Sequence, residues 1–280
     1  MDIRPARSAL YIPGSKERAL DKARGLPVDI ILFDLEDAVA PDAKVDARTT
    51  LTAALAAGGY GPRQKIVRIN GLDTQWGADD AAAVKAMDCD AVLLPKVNSP
   101  DDLDALAALV PDLPIWAMME SPLGILNAQV IAAHPRLAGF VMGTNDLAKD
   151  LNARTRPAMM MALQHCLLAA RAHGIVALDG VYNAFKDEDG LAAECAEGRD
   201  MGFDGKTLIH PAQVATCNAA FGPSEDEIAL ATRQIAAFEA AEAEGQGVAV
   251  VDGKIVENLH VVTARATLAK AAAIATLETS

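Results

Sequence analysis

"DIILFDLED" (Asp29–Asp37) runs four apolar residues, Ile30 to Phe33, without interruption into three carboxylates, Asp34, Glu36 and Asp37. A strand with one wet face alternates apolar and polar side chains. An unbroken run marks a strand buried on both faces, as in a parallel sheet covered by helices. Seven further runs of this kind punctuate the chain: "SALYIP" (8–13), "KIVRIN" (65–70), "AVLLPKV" (91–97), "PIWAMME" (114–120), "LAGFVMGTND" (137–146), "IVALDGV" (175–181) and "KTLIHP" (206–211). Between most of them lie amphipathic Ala/Leu segments, such as residues 43–57, 100–110 and 156–172. Eight strand–helix units predict an α/β protein, a (β/α)8 TIM barrel over residues 1–220. An open doubly wound sheet seldom takes eight such regular units.

Past "IHPAQV" the pattern changes. Residues 224–244 read as a long amphipathic helix with a Ser N-cap and an acidic first turn. "VAVVDGKIVE" (248–257) reads as a β-hairpin about Asp252-Gly253, and residues 260–277 as another helix. This helix–hairpin–helix extension, 221–280, holds too little apolar surface to stand alone. The expectation is that it packs on a neighbouring subunit.

Composition narrows the function classes. Of 280 residues, 51% are hydrophobic and only 4% aromatic, so the core must be built from Ala, Val, Leu and Ile. A net charge of −13 with no basic stripe argues against nucleic acid as partner. No run of 18 apolar residues spans a membrane, and the N-terminal apolar stretch breaks at Pro13-Gly14, unlike a signal peptide. Cys89, Cys166, Cys195 and Cys217 are scattered without metal spacing, as reduced thiols of a cytoplasmic protein would be.

In a (β/α)8 barrel the reacting groups stand at the carboxyl ends of the strands. Those positions hold Asp34, Glu36 and Asp37, then Arg68 with Asn70, Lys96, Glu120, Asn145 with Asp146, and Asp179. Charge at any one strand end is ordinary solvated loop; a whole set converging on one mouth is not. Glu120 and Asp146, on adjacent strands, are placed to hold a divalent cation, and Mg2+ asks for only one or two carboxylates. Arg68 offers a planar fork for a substrate carboxylate. "GTNDL" brings backbone N–H groups, and the Asn145 side chain, to a helix start. Metal, arginine and amides together describe a site for a 2-oxo or 2-hydroxy acid. Asp34, Glu36, Asp37 and Lys96 would surround it, orienting Arg68 and metal-bound water. In "YIPGSKERALDK", Lys16, Arg18 and Lys22 fall near a helix N-terminus, where the dipole favours anions. They are either docking points for phosphates or plain surface cations. His210 in "LIHP" reads as a buried structural histidine capping the last strand.

The ordered set "LYIPGSKERALDKA", "DIILFDLEDAVAPDAKVDAR", "VRIN", "LLPKV", "ME", "GTNDL" and "GFDGKTLIHPAQV" resembles the citrate lyase β-subunit-like branch of the HpcH/HpaI aldolase superfamily, from about residue 8 to residue 265. The resemblance implies a TIM barrel that uses Mg2+ (or Mn2+) to cleave or form a C–C bond in a 3-hydroxyacyl thioester, as malyl-CoA and citramalyl-CoA lyases do. By position it makes Glu120 and Asp146 the metal ligands, Arg68 the arginine on the small acid's carboxylate, and Lys16 and Lys22 the partners of coenzyme A phosphates; Glu120 and Asn145 are expected to contact the acid as well. It further implies a homo-oligomer, trimer or hexamer, in which an acidic residue of one subunit's C-terminal extension reaches the neighbour's site. Lyases of the group carry aspartate there; the equivalent stretch here is "KIVENLHV", with Glu257 as the acid/base.

The implied reaction is a Claisen condensation or its reverse between an acyl-CoA and a small 2-oxo acid, with Arg68, Glu120 and Glu257 at the reacting centre. Thioester hydrolysis of malyl-CoA uses the same binding parts with an aimed water. A citrate lyase β subunit acting on a carrier-protein thioester, a Schiff-base aldolase built on Lys96, and a silent CoA-binding module are the competing readings.

Overall fold

Eight short parallel strands close on themselves in chain order: β1 (Ser8–Pro13), β2 (Ile30–Asp34), β3 (Gln64–Arg68), β4 (Ala91–Leu94), β5 (Ile115–Met119), β6 (Leu137–Met142), β7 (Val176–Asp179) and β8 (Gly205–Leu208), with β8 pairing back onto β1. The structure, a computed structural model, describes residues 4–279. Every residue of β2, β4, β5 and β8 is buried, which is why their sequences do not alternate. Helices follow the strands, among them Lys44–Ala57, Pro100–Leu109, Met160–His173 and Glu188–Met201. The fold is thus the TIM barrel expected. Among the described residues no helix is long and apolar enough to cross a membrane.

Side chains two apart on a strand share a face, and this period sets what fills the barrel. Ala9, Ile30, Leu32, Ile66, Leu93, Trp116, Met118, Val141 and Leu178 form one buried cluster. Gly139 leaves room for the Trp116 ring, since a Cβ there would lie 2.6 Å from Cζ3. At the opposite end from the strand carboxyl termini, Arg7 ties the chain to Asp29 by Nε–Oδ2 (3.0 Å) and Nη2–Oδ1 (2.9 Å) bonds. Carrying the inward column two residues further along each strand leads to Tyr11, Asp34, Arg68 and Glu120, so the charged residues crown the apolar filling.

Residues Ala6–Ala220 form one compact unit, and the chain from Phe221 onward belongs to a second. In the second, helices Glu225–Ala243 and Asn258–Thr279 flank an antiparallel hairpin, β9 (Ala249–Val251) and β10 (Lys254–Val256). Ser224 caps the first helix reciprocally with Glu227. Ala241, Ala249, Val256 and Val261 make a small core of their own, packed by Ile235 and Phe238.

Barrel closure depends on backbone proximity at one glycine. A Cβ on Gly205 would lie 1.7 Å from the Ala6 carbonyl oxygen, and backbone has no rotamer with which to yield. Gly205→Ala is expected to cost about 3 kcal/mol through this overpacking. Urea unfolding checks it: the midpoint falls while the slope is kept, and an unchanged midpoint refutes the closure argument.

Candidate active site

The mouth of the barrel encloses a cavity of about 280 Å3. Arg68, last residue of β3, is paired in register with Asp34, last residue of β2. Its Nε and Nη2 meet Asp34 Oδ1 and Oδ2 at 2.7 and 2.6 Å. The same two oxygens accept the N–H groups of Glu36 and Ala38, each at 2.9 Å, so Asp34 also shapes the turn that follows it. That turn brings Glu36 Oε2 to 2.8 Å and Asp37 Oδ2 to 3.5 Å from Arg68 Nη1. The guanidinium also lies 4.8 Å from the Tyr11 ring centre. Burial opposes the Arg68 charge, but Asp34, Tyr11 and Glu36 more than offset it and its pKa rises. Burial likewise raises the Tyr11 phenol well above its ordinary range, so Tyr11 stays protonated.

The fork of Arg68 is therefore occupied by Asp34 and is not offered whole to a substrate, as sequence reading expects. Only Nη1 faces the acids at the mouth. Asp34 and Arg68 are 34 residues apart in the chain, and strand register alone makes them partners.

Glu120, the residue after β5, is only 3% exposed. Its Oε1 accepts the Lys96 N–H at 2.7 Å, which holds Lys96 in the left-handed region at φ 53°. Its Oε2 lies where a Cβ on Gly143 would sit, 2.3 Å away, so glycine is required for the carboxylate to take this place. Burial, then the nearby Glu36 charge, push Glu120 up to about 7, the Lys96 N–H and Arg68 opposing. Burial also raises Glu36, whose Oε1 is 3.6 Å from Lys96 Nζ. Lys96 is raised in turn: burial works against its charge, and Glu36, Glu120, Asp146 and Asp37 prevail. Asp146, in the first turn of helix Thr144–Leu151, lines the cavity beside Thr144 and Asn145.

Five carboxylates thus face two cations, an excess of negative charge that calls for a bound cation. Glu120 and Asp146 both line the cavity and are the candidates to hold it. Among the described residues no group of three His, Cys, Asp or Glu side chains forms a ready metal cage. A two-carboxylate set suits a hard ion that keeps its waters, and not Zn2+.

The remaining expected residues are placed as follows, Asn145 alone among them lining the cavity. Asp179 is taken by ion pairs to Arg156 (3.0 Å) and the fully buried Lys206 (3.0 Å), which hold its pKa low although burial alone would raise it. Asn70 is structural, its Nδ2 donating to Leu35 O (2.9 Å) and Asp80 Oδ2 (2.6 Å). Asn145 is at the rim, where Asn183 Nδ2 donates to its Oδ1 at 2.7 Å. Helix Glu17–Ala23 is only seven residues long, which moves Lys22 from the first turn to the last, where the dipole favours a cation. The electrostatic misfit survives for Lys16, at the cap, and for Arg18, in the first turn. His210 is exposed rather than buried; it caps the short turn Pro211–Gln213 and stacks on Phe185 at 4.7 Å. Glu257 precedes helix Asn258–Thr279 in the second unit, exposed. Tyr11, Met118, Met142, Val181 and Ile209 also line the cavity, and sequence reading gives none of them a place in the site. The inward period from Ala9 would have found Tyr11; nothing local marks Val181 or Ile209.

Comparison with known proteins places this geometry in a family context. Residues 7–211 match the HpcH/HpaI aldolase/citrate lyase family. A (3S)-malyl-CoA thioesterase of Cereibacter sphaeroides is 66% identical over 279 residues, covering 99% of this chain and 98% of the relative. The citrate lyase subunit beta of Escherichia coli K12 is 35% identical over 283 residues, 96% of this chain and 94% of the relative. Among solved structures, CitE of Mycobacterium tuberculosis in complex with magnesium, acetoacetate and coenzyme A superposes with a TM-score of 0.82 at 28% identity, over 97% of this chain and all of that one.

The raised Glu120 pKa has a stability consequence. A carboxyl whose folded pKa exceeds its unfolded value favours the folded state at low pH, and that contribution is lost as pH rises through about 7. In chelator-treated protein, Glu120→Gln is therefore expected to be more stable than the parent at pH 8, on the order of 2–3 kcal/mol, and near-equal at pH 4.5. Denaturant titrations at the two pH values check it; equal stabilities at pH 8 refute the buried-charge account.

Proposed function

The chain belongs to the HpcH/HpaI aldolase/citrate lyase family, and from that premise we propose that it is a Mg2+-dependent enzyme of CoA thioesters that hydrolyses a 3-hydroxyacyl-CoA of the malyl-CoA type. The observation that carries this reading is the single cavity joining buried Glu120, Asp146 and Arg68 Nη1. The near-full-length likeness to malyl-CoA thioesterases supports hydrolysis over C–C cleavage. Cleavage to an acyl-CoA and a 2-oxo acid is the second reading, favoured by the likeness to citrate lyase β subunits, which also keeps open a carrier-protein thioester as substrate.

Glu120 and Asp146 would hold Mg2+, and Mn2+ suits the same oxygen donors. When bound, the ion supplies positive charge that polarises substrate oxygens. Arg68 is clamped by Asp34, and its Nη1, which meets Glu36 Oε2 at 2.8 Å and Met118 Sδ at 3.5 Å, is the proposed donor to the acid's carboxylate or to charge developing on the carbonyl oxygen. Because Asp34 holds it already, no reorganisation is needed during reaction. Asn145 and the start of helix Thr144–Leu151 flank the acid. Met118, Met142, Val181 and Ile209 supply the apolar part of the lining. Lys16 and Lys22, both exposed, are the proposed contacts of the coenzyme A phosphates. Glu257 of a second copy is the proposed acid/base of the C–C reaction, in a homo-oligomer of cytoplasmic location.

Two outcomes test these assignments. Asp146→Ala should lower Mg2+-dependent thiol release from malyl-CoA at least a thousandfold without altering the circular dichroism spectrum. A variant retaining most of its rate removes Asp146 from the site. Free thiol and 2-oxo acid, assayed separately, divide hydrolysis from cleavage.

The shared-site arrangement is tested by mixing. Asp146→Ala and Glu257→Ala chains, each inactive in C–C cleavage, should regain part of it when reassembled together. Confirmed hetero-oligomers that stay inactive would confine Glu257 to its own subunit.

A further inference from the structure

We infer that Asp37 is the general base that activates water for thioester hydrolysis. The inference rests on the hydrolytic reading above and goes beyond it by assigning the proton acceptor within the same chain.

The assignment follows from what each group in the cavity is already doing. The described lining holds four carboxylates, one guanidinium and one phenol, and no His, Cys or Lys. Tyr11 is kept protonated by burial and can only donate. Both oxygens of Asp34 are engaged, each by one Arg68 nitrogen and one backbone N–H, at 2.6 to 2.9 Å. Glu120 is held by the Lys96 N–H and, with Asp146, is assigned to the cation. Asp37 remains. Its side chain is 64% exposed, and its nearest described partner is Arg68 Nη1 at 3.5 Å, long for a hydrogen bond. It stands on the turn that Asp34 shapes, so its place is fixed while its oxygens stay available. On the reading above, Arg68 Nη1, 3.5 Å from Asp37 Oδ2, is also the oxyanion donor, so base and donor would share one side of the cavity.

The step balances without a further reactant. The water oxygen bonds to the thioester carbonyl carbon as its proton passes to Asp37. The adduct then breaks its C–S bond, and the proton on Asp37 goes to the departing sulfur. The products are a free thiol and a carboxylic acid, and Asp37 is ionised again.

The test uses the full-length enzyme with Mg2+ and malyl-CoA. Asp37→Asn keeps the size of the side chain and removes the base. It is expected to lower kcat for thiol release a hundredfold or more, with KM and Mg2+ binding within about threefold of the parent. Asp37→Glu should recover part of the loss. If the parent releases thiol and Asp37→Asn does so at a rate within threefold, the assignment is overturned and hydrolysis stands. Loss of Mg2+ binding in both variants would also overturn it, making Asp37 a support of the cation site. If the parent yields 2-oxo acid and no thiol, the hydrolytic reading falls and takes the assignment with it.

Discussion

The Asp34–Arg68 pair is the constraint around which the mouth of the barrel is arranged. A buried ion pair is tolerable only when its remaining donors and acceptors are satisfied. Here that is met by spending Asp34 on two backbone N–H groups as well as on the guanidinium. One carboxylate therefore does two jobs: it holds Arg68 rigid and it bends residues 35–38. The bend delivers Glu36 and Asp37 to the same guanidinium. The three acids after "DIILF" are thus one device, in which the first builds the turn and the others receive their places from it.

That device leaves a deficit of positive charge. Arg68 is shared among three acids, and Lys96 reaches Glu36 only at 3.6 Å. Glu120 is then buried against this field, and burial together with the Glu36 charge raises its pKa. The chain accepts a left-handed Lys96 and a side-chain-free Gly143 to keep Glu120 there. Such local costs are those of a site kept for a ligand. A divalent cation relieves the charge excess, which ties the local strain to the proposed chemistry.

Much of this was legible in the sequence, and the reason is periodicity. Uninterrupted apolar runs identify strands buried on both faces, and the residue at each run's end must stand at the barrel rim. Glu120, Asp146 and Arg68 follow from that rule. What was hidden depends on register between distant strands or on where a helix stops. No local pattern says that Asp34 occupies the fork of Arg68, or that Arg156 and Lys206 withdraw Asp179 from the mouth. Lys22 changes meaning because its helix ends after seven residues, which puts it in the last turn. His210 was misplaced because a histidine after a buried strand reads as core, whereas the turn beginning at Pro211 lifts it to the surface, where its ring nitrogen serves as a cap.

Hydrolysis and C–C cleavage of one thioester need the same recognition: a cation on the substrate oxygens, a donor on the carboxylate, a dry wall beside the acyl chain. They differ in which oxygen gives up a proton. Cleavage deprotonates the substrate's 3-hydroxyl; hydrolysis deprotonates a water aimed at the thioester carbon. A barrel mouth with one uncommitted carboxylate at its open edge suits the second, because water reaches that edge without displacing the acid. Cleavage asks instead for a base above the hydroxyl, and no uncommitted group of the described cavity lining stands apart from Asp37 to provide it. On this view a small change in what covers the mouth, with the metal and arginine untouched, is enough to move an enzyme of this architecture from one reaction to the other.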